Sequence, residues 1–299
     1  MRVKVRVPAT SANLGPGFDS LGMALDLYNY VEMETTTGGL ALEVVGEGAG
    51  EIPRDESNLV FLMTKKVFQE AGQAVPGLAI RLTNGIPLAR GLGSSAAAIV
   101  GGLVAANELA GRPLGRDALL TLALQEEGHA DNITAALTGG VTAACIVHGA
   151  IRFLPIPVAN SFTVVVVIPD YHLSTRVARS VLPDSIAFSD AVHNIGRVAL
   201  LVAALTTGRW QIMDVATQDR LHQPFRQHVL PGMAAAFDAA QEAGAKGAVL
   251  SGSGPTILAF AQEAPERVLL EMRAAYAREG IATQGRICRL SPTGAEIIA

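Results

Sequence analysis

The sequence is poor in cysteine and in charged residues. Only Cys145 and Cys288 occur in 299 residues, and Asp, Glu, Lys and Arg together make up 17% of the chain. Two cysteines form neither a disulfide framework nor a zinc-ligand pattern, so we expect two reduced thiols. The net charge is −4 and no block of lysine and arginine occurs, unlike in nucleic-acid-binding proteins. We therefore predict a small-molecule substrate and no nucleic-acid partner.

Long apolar runs are scarce as well. The N-terminal segment MRVKVRVPATSANLG alternates charged and apolar residues, whereas a secretory signal needs a continuous apolar stretch. The apolar runs at residues 163–168 and 96–106 are far shorter than the ~20 residues of a membrane-spanning helix. We expect a cytoplasmic protein with no membrane partner.

Apolar residues nevertheless make up 49% of the chain, enough for a large core in one or two domains. Short apolar runs that predict β-strands occur along the chain between longer amphipathic segments that predict helices. The run TVVVVI at residues 163–168 predicts a strand buried on both faces. We predict an α+β protein with mixed β-sheets and two lobes, residues 1–155 and residues 156–299.

A segment rich in glycine and serine, PLARGLGSSAA, leads directly into an alanine-rich predicted helix. Its residues are Pro87, Leu88, Ala89, Arg90, Gly91, Leu92, Gly93, Ser94, Ser95, Ala96 and Ala97. The two glycines allow the backbone to approach a ligand closely, and the two serines can cap the helix. Because the first amides of a helix are unpaired and its N terminus is partly positive, the segment suits a triphosphate.

Two other interpretations of this segment remain open on the residues alone. A glycine turn with a serine cap occurs in many proteins without a ligand. Residues 91–96 also fit the dinucleotide pattern G-x-G-x-x-A, which needs a strand running straight into the glycines and an acidic residue about 20 positions later. Asn84, Gly85 and Pro87 interrupt the strand, and Glu108 comes too early, which disfavours dinucleotide binding.

Three motifs in order along the chain resemble those of the GHMP kinases, a superfamily that includes galactokinase, homoserine kinase, mevalonate kinase and phosphomevalonate kinase. Residues 87–96 match the family's ATP loop, P-x-x-x-G-L-G-S-S-A, throughout. PATSANLGPGFDSLG (residues 8–22) and AVLSGSGPTILAF (residues 248–260) are similar to its first and third motifs. The resemblance implies the two-lobed GHMP kinase fold, with an N-terminal lobe like ribosomal protein S5 domain 2 and a ferredoxin-like C-terminal lobe. It also implies ATP-dependent phosphorylation of a small hydroxyl compound.

The resemblance further implies residues for ATP and Mg²⁺, an ion that takes oxygen ligands. It assigns the metal-binding carboxylate to Glu127 and a hydroxyl ligand to Ser95, with Glu126 as the alternative carboxylate. Asn58 matches the family's position beside the nucleotide base. Gly252 belongs to the third motif, whose small residues allow the backbone to approach substrate and phosphate.

Other features are similar to the homoserine kinases within this superfamily. In LSTRVARSVLP, Ser174 can cap a helix on which Thr175 and Arg179 are four residues apart and face the same way. A hydroxyl and a guanidinium on one face can hold a carboxylate. DRLHQPFR supplies a second arginine, Arg226. L-homoserine is a zwitterion, so we expect Arg179 and Arg226 to bind its carboxylate and Asp19 its ammonium group.

The segment EGHADN resembles the homoserine kinase form E-G-H-P-D-N, with Ala130 where proline is usual. The family match brings Asn13 and Asn132 near the acceptor, while His129 either binds substrate or orients the loop. Related kinases use an aspartate base paired with a lysine, and the first motif here has no lysine. We expect in-line transfer without a strong protein base, with Asp131 as base the open alternative.

The predicted catalytic residues are therefore Glu127, Ser95, Asn132 and Arg179. A GHMP kinase for another acceptor, such as mevalonate or shikimate, and an inactive ligand sensor with the same fold remain alternatives. The pair of Thr175 and Arg179 argues against mevalonate, and the intact ATP loop argues against the sensor. The resemblance also implies a homodimer.

Overall fold

The computed structural model describes residues 1–159 and 162–299. Its strands are β1 (Arg2–Ala12), β2 (Leu21–Thr36), β3 (Leu40–Gly46), β4 (Gly77–Asn84), β5 (Val141–Val147), β6 (Ala150–Ile156), β7 (Thr163–Pro169), β8 (Gly247–Leu250), β9 (Ile257–Ala261), β10 (Thr283–Arg289) and β11 (Glu296–Ile297). Its helices are α1 (Leu59–Glu70), α2 (Ser94–Leu109), α3 (Arg116–Glu127), α4 (Ala130–Thr138), α5 (Thr175–Ser180), α6 (Phe188–Thr207), α7 (Met213–Ala216), α8 (Gln223–Arg226), α9 (Met233–Glu242) and α10 (Pro265–Arg278). Short 3₁₀ turns precede α7 and follow α8.

The first sheet has the order β11-β1-β2-β4-β3, with β5 paired to β2 and β6 to β5. The strands β3 and β4 are parallel and the other pairs are antiparallel, so the predicted mixed sheet is confirmed. The two halves of β2 have different neighbours: residues 29–36 pair with β4, and residues 21–23 pair with β5. The long β2 therefore connects the two parts of the sheet.

The strand β1 continues through Pro8 to Ala12. The register between β1 and β2 shifts between Pro8 and Ala9. Proline has no backbone N–H to donate to a neighbouring strand, and such residues are tolerated at irregularities of this kind. The extension carries Thr10 and the residues after it to the edge of the functional site.

The second sheet has the antiparallel order β10-β7-β9-β8. Alternate residues of β7 belong to two different hydrophobic cores: Val164 and Val166 to the larger one, Val165 and Val167 to the smaller one beside α9 and α10. The sheet is thus covered on both faces, which confirms the prediction from the run TVVVVI.

Strands β1 to β6 form the first sheet and strands β7 to β10 form the second, after which β11 returns to the first sheet beside β1. The larger core draws residues from both halves of the chain, such as Ile133 and Leu201. The division into residues 1–155 and 156–299 remains a prediction.

One helix was not predicted, and another is more apolar than the search for apolar runs indicated. The helix α4 follows directly on Glu127-Gly128-His129 and has the sequence ADNITAALT, in which asparagine and two threonines are weak helix formers. The 20-residue α6 is long and apolar enough, by length and composition, to cross a membrane. The search for apolar runs overlooked α6 because Asp190, His193, Asn194 and Arg197 interrupt it.

Candidate active site

The glycine loop (residues 87–93) ends where α2 begins, and a glycine provides the helix cap. Gly93 adopts a left-handed conformation with φ of 68°, and no side chain of the described residues caps the helix. The prediction that Ser94 or Ser95 caps α2 is therefore wrong: both lie in its first turn. A Cβ atom at position 93 would collide with the side chain of Thr10. The first amides of α2 remain available for an anion.

A cavity of about 430 Å³ adjoins the N terminus of α2. Its lining contains the apolar side chains of Ile52, Leu59, Leu82 and Leu88, together with Ser94, Ser95, Ala97 and Ala98. An apolar slot that opens onto a partly positive helix end suits an aromatic base joined to phosphates.

Asn58 lines the same cavity, but its side chain is used within the protein. Its Oδ1 accepts a hydrogen bond of 2.9 Å from the backbone N–H of Val60, and its Nδ2 donates one of 2.7 Å to the carbonyl of Pro53. Asn58 thus caps α1 and fixes the wall of the cavity. Contact of its amide with a base remains a prediction.

Glu127 and Ser95 lie together beside the first turn of α2. The hydroxyl of Ser95 donates a hydrogen bond of 3.0 Å to Oε2 of Glu127. Burial raises the pKa of Glu127, because removal from water disfavours the charged carboxylate. Two oxygen groups of this kind, close to a helix N terminus, can hold a hard cation that accompanies a phosphate.

Glu126 faces away from this site. Its carboxylate forms an ion pair of 2.7 Å with Nζ of Lys66 on α1. Glu127, and not Glu126, is therefore the carboxylate that lies against the loop.

Asp131 and Asn132 begin α4 next to the glycine loop. The Oδ1 of Asn132 accepts a hydrogen bond of 2.8 Å from the hydroxyl of Thr10, and the backbone N–H of Thr10 donates to the carbonyl of Leu92. Asp131 is 2% exposed. Burial, with a smaller contribution from the nearby charge of Asp19, raises its pKa to about 7, against the opposing effect of the hydrogen bond from the backbone N–H of Asn132. Asp131 is thus a carboxyl group that titrates near neutral pH.

Asp19 and Arg179 form an accessible ion pair on the other side of the site. Their Oδ1 and Nη2 atoms are 2.7 Å apart, and the side chains are 36% and 34% exposed. The backbone N–H of Asp19 donates to Oδ1 of Asn13, whose Nδ2 donates to the carbonyl of Gly252. The residues predicted for the ammonium and carboxylate groups of a substrate therefore pair with each other.

Helix α5 presents Arg179 as the sequence predicted. The hydroxyl of Ser174 caps α5 by accepting from the backbone N–H of Val177 at 3.3 Å, which confirms the predicted cap. The hydroxyl of Thr175 lies 3.4 Å from that of Ser253. Burial, and then the charge of Arg179, lower the pKa of the half-buried His129.

Arg226 is 1% exposed and is held by backbone and imidazole groups. Its Nε donates to the carbonyl of Ala178 at 3.1 Å, and its Nη1 donates to that of Gly252 at 2.8 Å. The same Nη1 lies 3.2 Å from Nδ1 of His222. Burial and then the charge of Arg179 lower its pKa to about 10, so the guanidinium stays charged at neutral pH.

His222 is buried and neutral, because burial lowers its pKa to about 4. Since Arg226 can only donate, Nδ1 of His222 must accept, and the proton lies on Nε2, which donates to the carbonyl of Gly15 at 2.7 Å. The ring of Phe18 lies 5.2 Å from that of His222, and the guanidinium carbons of Arg179 and Arg226 are 5.3 and 5.4 Å from the centre of the Phe18 ring. The aromatic face therefore orients both arginines.

The sequence analysis missed the residues that hold this arrangement in place. It gave no role to His222. The buried carboxylate of Asp219 accepts from the backbone N–H groups of residues 221, 222 and 223 and from the side chain of Asn194. No helix-start signal identifies Asp219, because it lies three residues before His222, which occupies the N-cap position of α8.

Comparisons with known proteins agree with this geometry. The family model described as GHMP kinases N terminal domain matches residues 58–140, and the one described as GHMP kinases C terminal matches residues 201–278. A homoserine kinase of Caldanaerobacter subterraneus is 44% identical over 99% of this chain and 95% of that protein. One of Carboxydothermus hydrogenoformans is 48% identical over 87% of this chain and 86% of that protein.

Solved structures give the same result. The crystal structure of a homoserine kinase from Cytophaga hutchinsonii has a TM-score of 0.91 at 32% identity, covering 99% of this chain and 97% of that one. The crystal structure of L. major mevalonate kinase in complex with R-mevalonate has a TM-score of 0.72 at 17% identity, covering 98% of this chain and 96% of that one. The latter likeness concerns the fold alone.

The raised pKa of Asp131 predicts how stability depends on pH. Folded Asp131 keeps its proton up to about pH 7, whereas the unfolded residue loses it near its usual pKa of 3.8. Between these values the folded state binds more protons, so the contribution of Asp131 to stability falls as pH rises, and it is constant above pH 7. At pH 8 the free energy of unfolding of Asp131→Asn should therefore be roughly 2 to 4 kcal/mol larger than that of the wild type, and the difference should vanish near pH 4.

Urea denaturation at pH 4, 6 and 8 measures this difference. Asp184→Asn removes an exposed carboxylate and serves as the matched control, with no such trend expected. A stability gain of Asp131→Asn that is equal at all three pH values would contradict the assigned titration.

Proposed function

Because the chain belongs to the GHMP kinase family, we propose that it transfers the γ-phosphoryl group of ATP to the side-chain hydroxyl of L-homoserine, giving O-phospho-L-homoserine. The observation that carries this proposal is the cluster of Asp19, Arg179 and Arg226 beside the phosphate-binding end of α2. Relatives that are 44% to 48% identical over most of the chain are homoserine kinases.

The family uses ATP, and the site offers a place for each part of the nucleotide. The adenine base would enter the apolar cavity beside Asn58, and the triphosphate would lie against the glycine loop and the first amides of α2. Pairing with unsatisfied helix amides stabilises negative charge without a change in protonation. The γ-phosphoryl group would then face the side of the site that contains Asn132.

The acceptor side suits a zwitterion of the size of homoserine. Asp19 can bind an ammonium group and Arg179 a carboxylate, while the fixed guanidinium of Arg226 adds positive charge behind Arg179. The ion pair between Asp19 and Arg179 is accessible to water, so its replacement by two ion pairs with substrate costs little desolvation. Thr175, His129 and Asn13 would complete the contacts with the amino acid head group.

Ser95 and Glu127 would hold the Mg²⁺ that accompanies ATP. Their hydroxyl and carboxylate oxygens are the hard donors that this ion prefers, and they lie within hydrogen-bond distance of each other. Among the described residues no group of three or more His, Cys, Asp or Glu side chains is placed to hold a metal. This fits an ion that takes most of its ligands from phosphate and water. When bound, Mg²⁺ neutralises charge on the triphosphate.

The transfer would proceed without a strong protein base. Asn132 is an amide, and its Oδ1 accepts from Thr10, so it can orient a hydroxyl but cannot remove its proton at neutral pH. A loose phosphoryl-transfer transition state places little demand on a base. The alternative, Asp131, titrates near pH 7, but one of its oxygens already accepts from the backbone N–H of Asn132.

An acceptor panel tests the proposed reaction directly. ATP consumption should depend on L-homoserine and should be absent or far slower with mevalonate, shikimate and galactose, because only an amino acid satisfies both Asp19 and Arg179. The product should be O-phospho-L-homoserine by mass spectrometry. Turnover with another acceptor alone would keep the kinase and reject the amino acid site. No turnover with any of these acceptors would favour an untested acceptor first and the ligand sensor second.

Three matched carboxamide variants test the roles of the carboxylates. Glu127→Gln should lower kcat by about 100-fold or more, because it removes a ligand for the charge-neutralising ion. Glu126→Gln should change kcat by less than about twofold, since this side chain forms only an accessible ion pair with Lys66. Asp131→Asn should lower kcat by less than about tenfold if no base is needed.

The Mg²⁺ dependence of the rate gives a second readout. The concentration of Mg²⁺ for half-maximal rate should rise for Glu127→Gln and stay unchanged for Glu126→Gln. A loss of kcat in Asp131→Asn as large as in Glu127→Gln, with the fold intact by circular dichroism, would contradict transfer without a base.

We also propose that the protein is a cytoplasmic homodimer. The support for this proposal is membership of the GHMP kinase family, whose enzymes act on small molecules.

A further inference from the structure

The hydroxyl of Thr10 is buried where three segments of the chain meet. Thr10 is 0% exposed, and its Oγ1 donates a hydrogen bond of 2.8 Å to Oδ1 of Asn132 near the start of α4. The glycine loop closes the third side, because a Cβ atom at Gly93 would collide with Oγ1 of Thr10 and lie 3.3 Å from Oδ1 of Asn132. The hydrogen bond therefore joins β1 and α4 beside the end of the glycine loop.

The backbone on both sides of this bond is held by other contacts. The backbone N–H of Thr10 donates to the carbonyl of Leu92 at 3.0 Å, and Thr10 is paired with Ala24 of β2. On the other side, a Cβ atom at Gly22 would overlap the carbonyl oxygen of Asp131, so the start of α4 lies directly against β2. The side-chain bond is thus not what brings the segments together, and its effect falls on the amide group of Asn132.

The bond decides which end of this amide faces the site. The oxygen and the nitrogen of an asparagine exchange places on a half-turn of the amide group, with little change in shape. Among the described residues, Asn132 provides the one acceptor for the hydroxyl of Thr10. In the reversed orientation Nδ2 would face Thr10, and the hydroxyl proton would be left unpaired in the protein interior, which is unfavourable. Oδ1 therefore stays on the side of Thr10.

The nitrogen of the same amide is left free for a ligand. Asn132 is half-buried, and within residues 1–159 and 162–299 no group forms a hydrogen bond with its Nδ2. This nitrogen is also not one of the buried side-chain atoms that lack a partner, so it is open to the site. An amide nitrogen donates hydrogen bonds and does not accept them. The group that Asn132 presents to the site is therefore a donor.

We propose that Thr10 is a positioning residue for the phosphoryl transfer: by holding Oδ1 of Asn132, it directs Nδ2 to donate a hydrogen bond to the hydroxyl oxygen of the acceptor. This role rests on the proposed function, in which Asn132 faces the acceptor. Thr10 is fully buried, so it acts through Asn132 and does not touch the substrate. An acceptor oxygen with one lone pair bound to Nδ2 keeps the other for the γ-phosphorus in a fixed direction, and phosphoryl transfer depends on such positioning.

Two substitutions at position 10 remove different parts of the side chain. Thr10→Val removes the hydroxyl and keeps the volume, whereas Thr10→Ser removes the methyl group and keeps the hydroxyl. Thr10→Val should lower kcat about 10- to 100-fold, because the amide of Asn132 can then turn. The KM values for ATP and homoserine should change less than about threefold, since the backbone bond from Thr10 to the glycine loop remains. Thr10→Ser should keep kcat within about threefold of the wild type.

Urea denaturation of the same variants separates positioning from a structural role. Thr10→Ser should unfold more easily than the wild type, because it leaves a small buried cavity, and yet it should keep its activity. A structural role would instead make the loss of kcat follow the loss of stability. Thr142→Val is the matched control: Thr142 is also 0% exposed in the same sheet, and its hydroxyl has no partner among the described residues. Its kcat should stay within about twofold of the wild type.

The effect of Thr10 should act only through Asn132. Asn132→Ala should itself lower kcat, because it removes the donor to the acceptor oxygen. In that background Thr10→Val should change kcat by less than about twofold, as expected when a residue works through a partner that is no longer there. An equal loss of kcat from Thr10→Val in both backgrounds would contradict the proposal, and so would a kcat of Thr10→Val equal to that of the wild type.

A neutron crystal structure of the deuterium-exchanged wild type gives a readout that does not depend on turnover. It should place the deuterium of the Thr10 hydroxyl towards Oδ1 of Asn132 and two deuterium atoms on the amide nitrogen that faces the site. The reversed amide would overturn the proposal. Failure of the proposed function would appear in the wild type as absence of turnover with homoserine, whereas failure of this inference would appear in Thr10→Val alone. If the acceptor panel identifies another compound, the same comparison of kcat uses that compound.

Discussion

The carbonyl oxygen of Gly252 accepts hydrogen bonds from Nδ2 of Asn13 and from Nη1 of Arg226, and the substrate side of the site depends on this one acceptor. Asn13 lies near the beginning of the chain, and Arg226 and Gly252 lie in its last quarter. All three residues are buried. Hydrogen bonds to a charged donor contribute about 1.5 to 3 kcal/mol, and a buried donor left without its acceptor costs at least as much. Loss of this carbonyl position would therefore release both Asp19 and Arg226.

The charges around that acceptor are graded by their access to water. Arg226 and its neutral partner His222 are buried and keep one arrangement, whereas Arg179 and Asp19 are accessible and can exchange each other for a ligand. Arg226 is therefore held rigidly, whereas Arg179 can exchange its partner. On the nucleotide side the same principle applies, since Gly93 fixes the loop while Ser95 and Glu127 remain available for an ion.

Local sequence patterns predicted most elements of the fold, because apolar spacing and the glycine-rich loop report directly on backbone conformation. They failed where contacts between distant segments decide the structure. The serine cap of α2 was wrong because the side chain of Thr10 leaves room only for glycine at position 93. The motifs identified Asn13, Asp19, Arg179 and Arg226, but their pairing could not be read from them. The partners of Arg226 are backbone carbonyls of Ala178 and Gly252, which have no signature in a sequence.

The most direct test of this account is a crystal structure of the complex with L-homoserine and a non-hydrolysable ATP analogue. We expect Arg179 to leave Asp19 and bind the carboxylate of the amino acid, Asp19 to bind its ammonium group, and Arg226 to keep its contacts with Gly252 and Ala178. The side-chain hydroxyl should face the γ-phosphate at the N terminus of α2. A complex in which the ion pair of Arg179 and Asp19 is intact, with homoserine bound elsewhere, would contradict it.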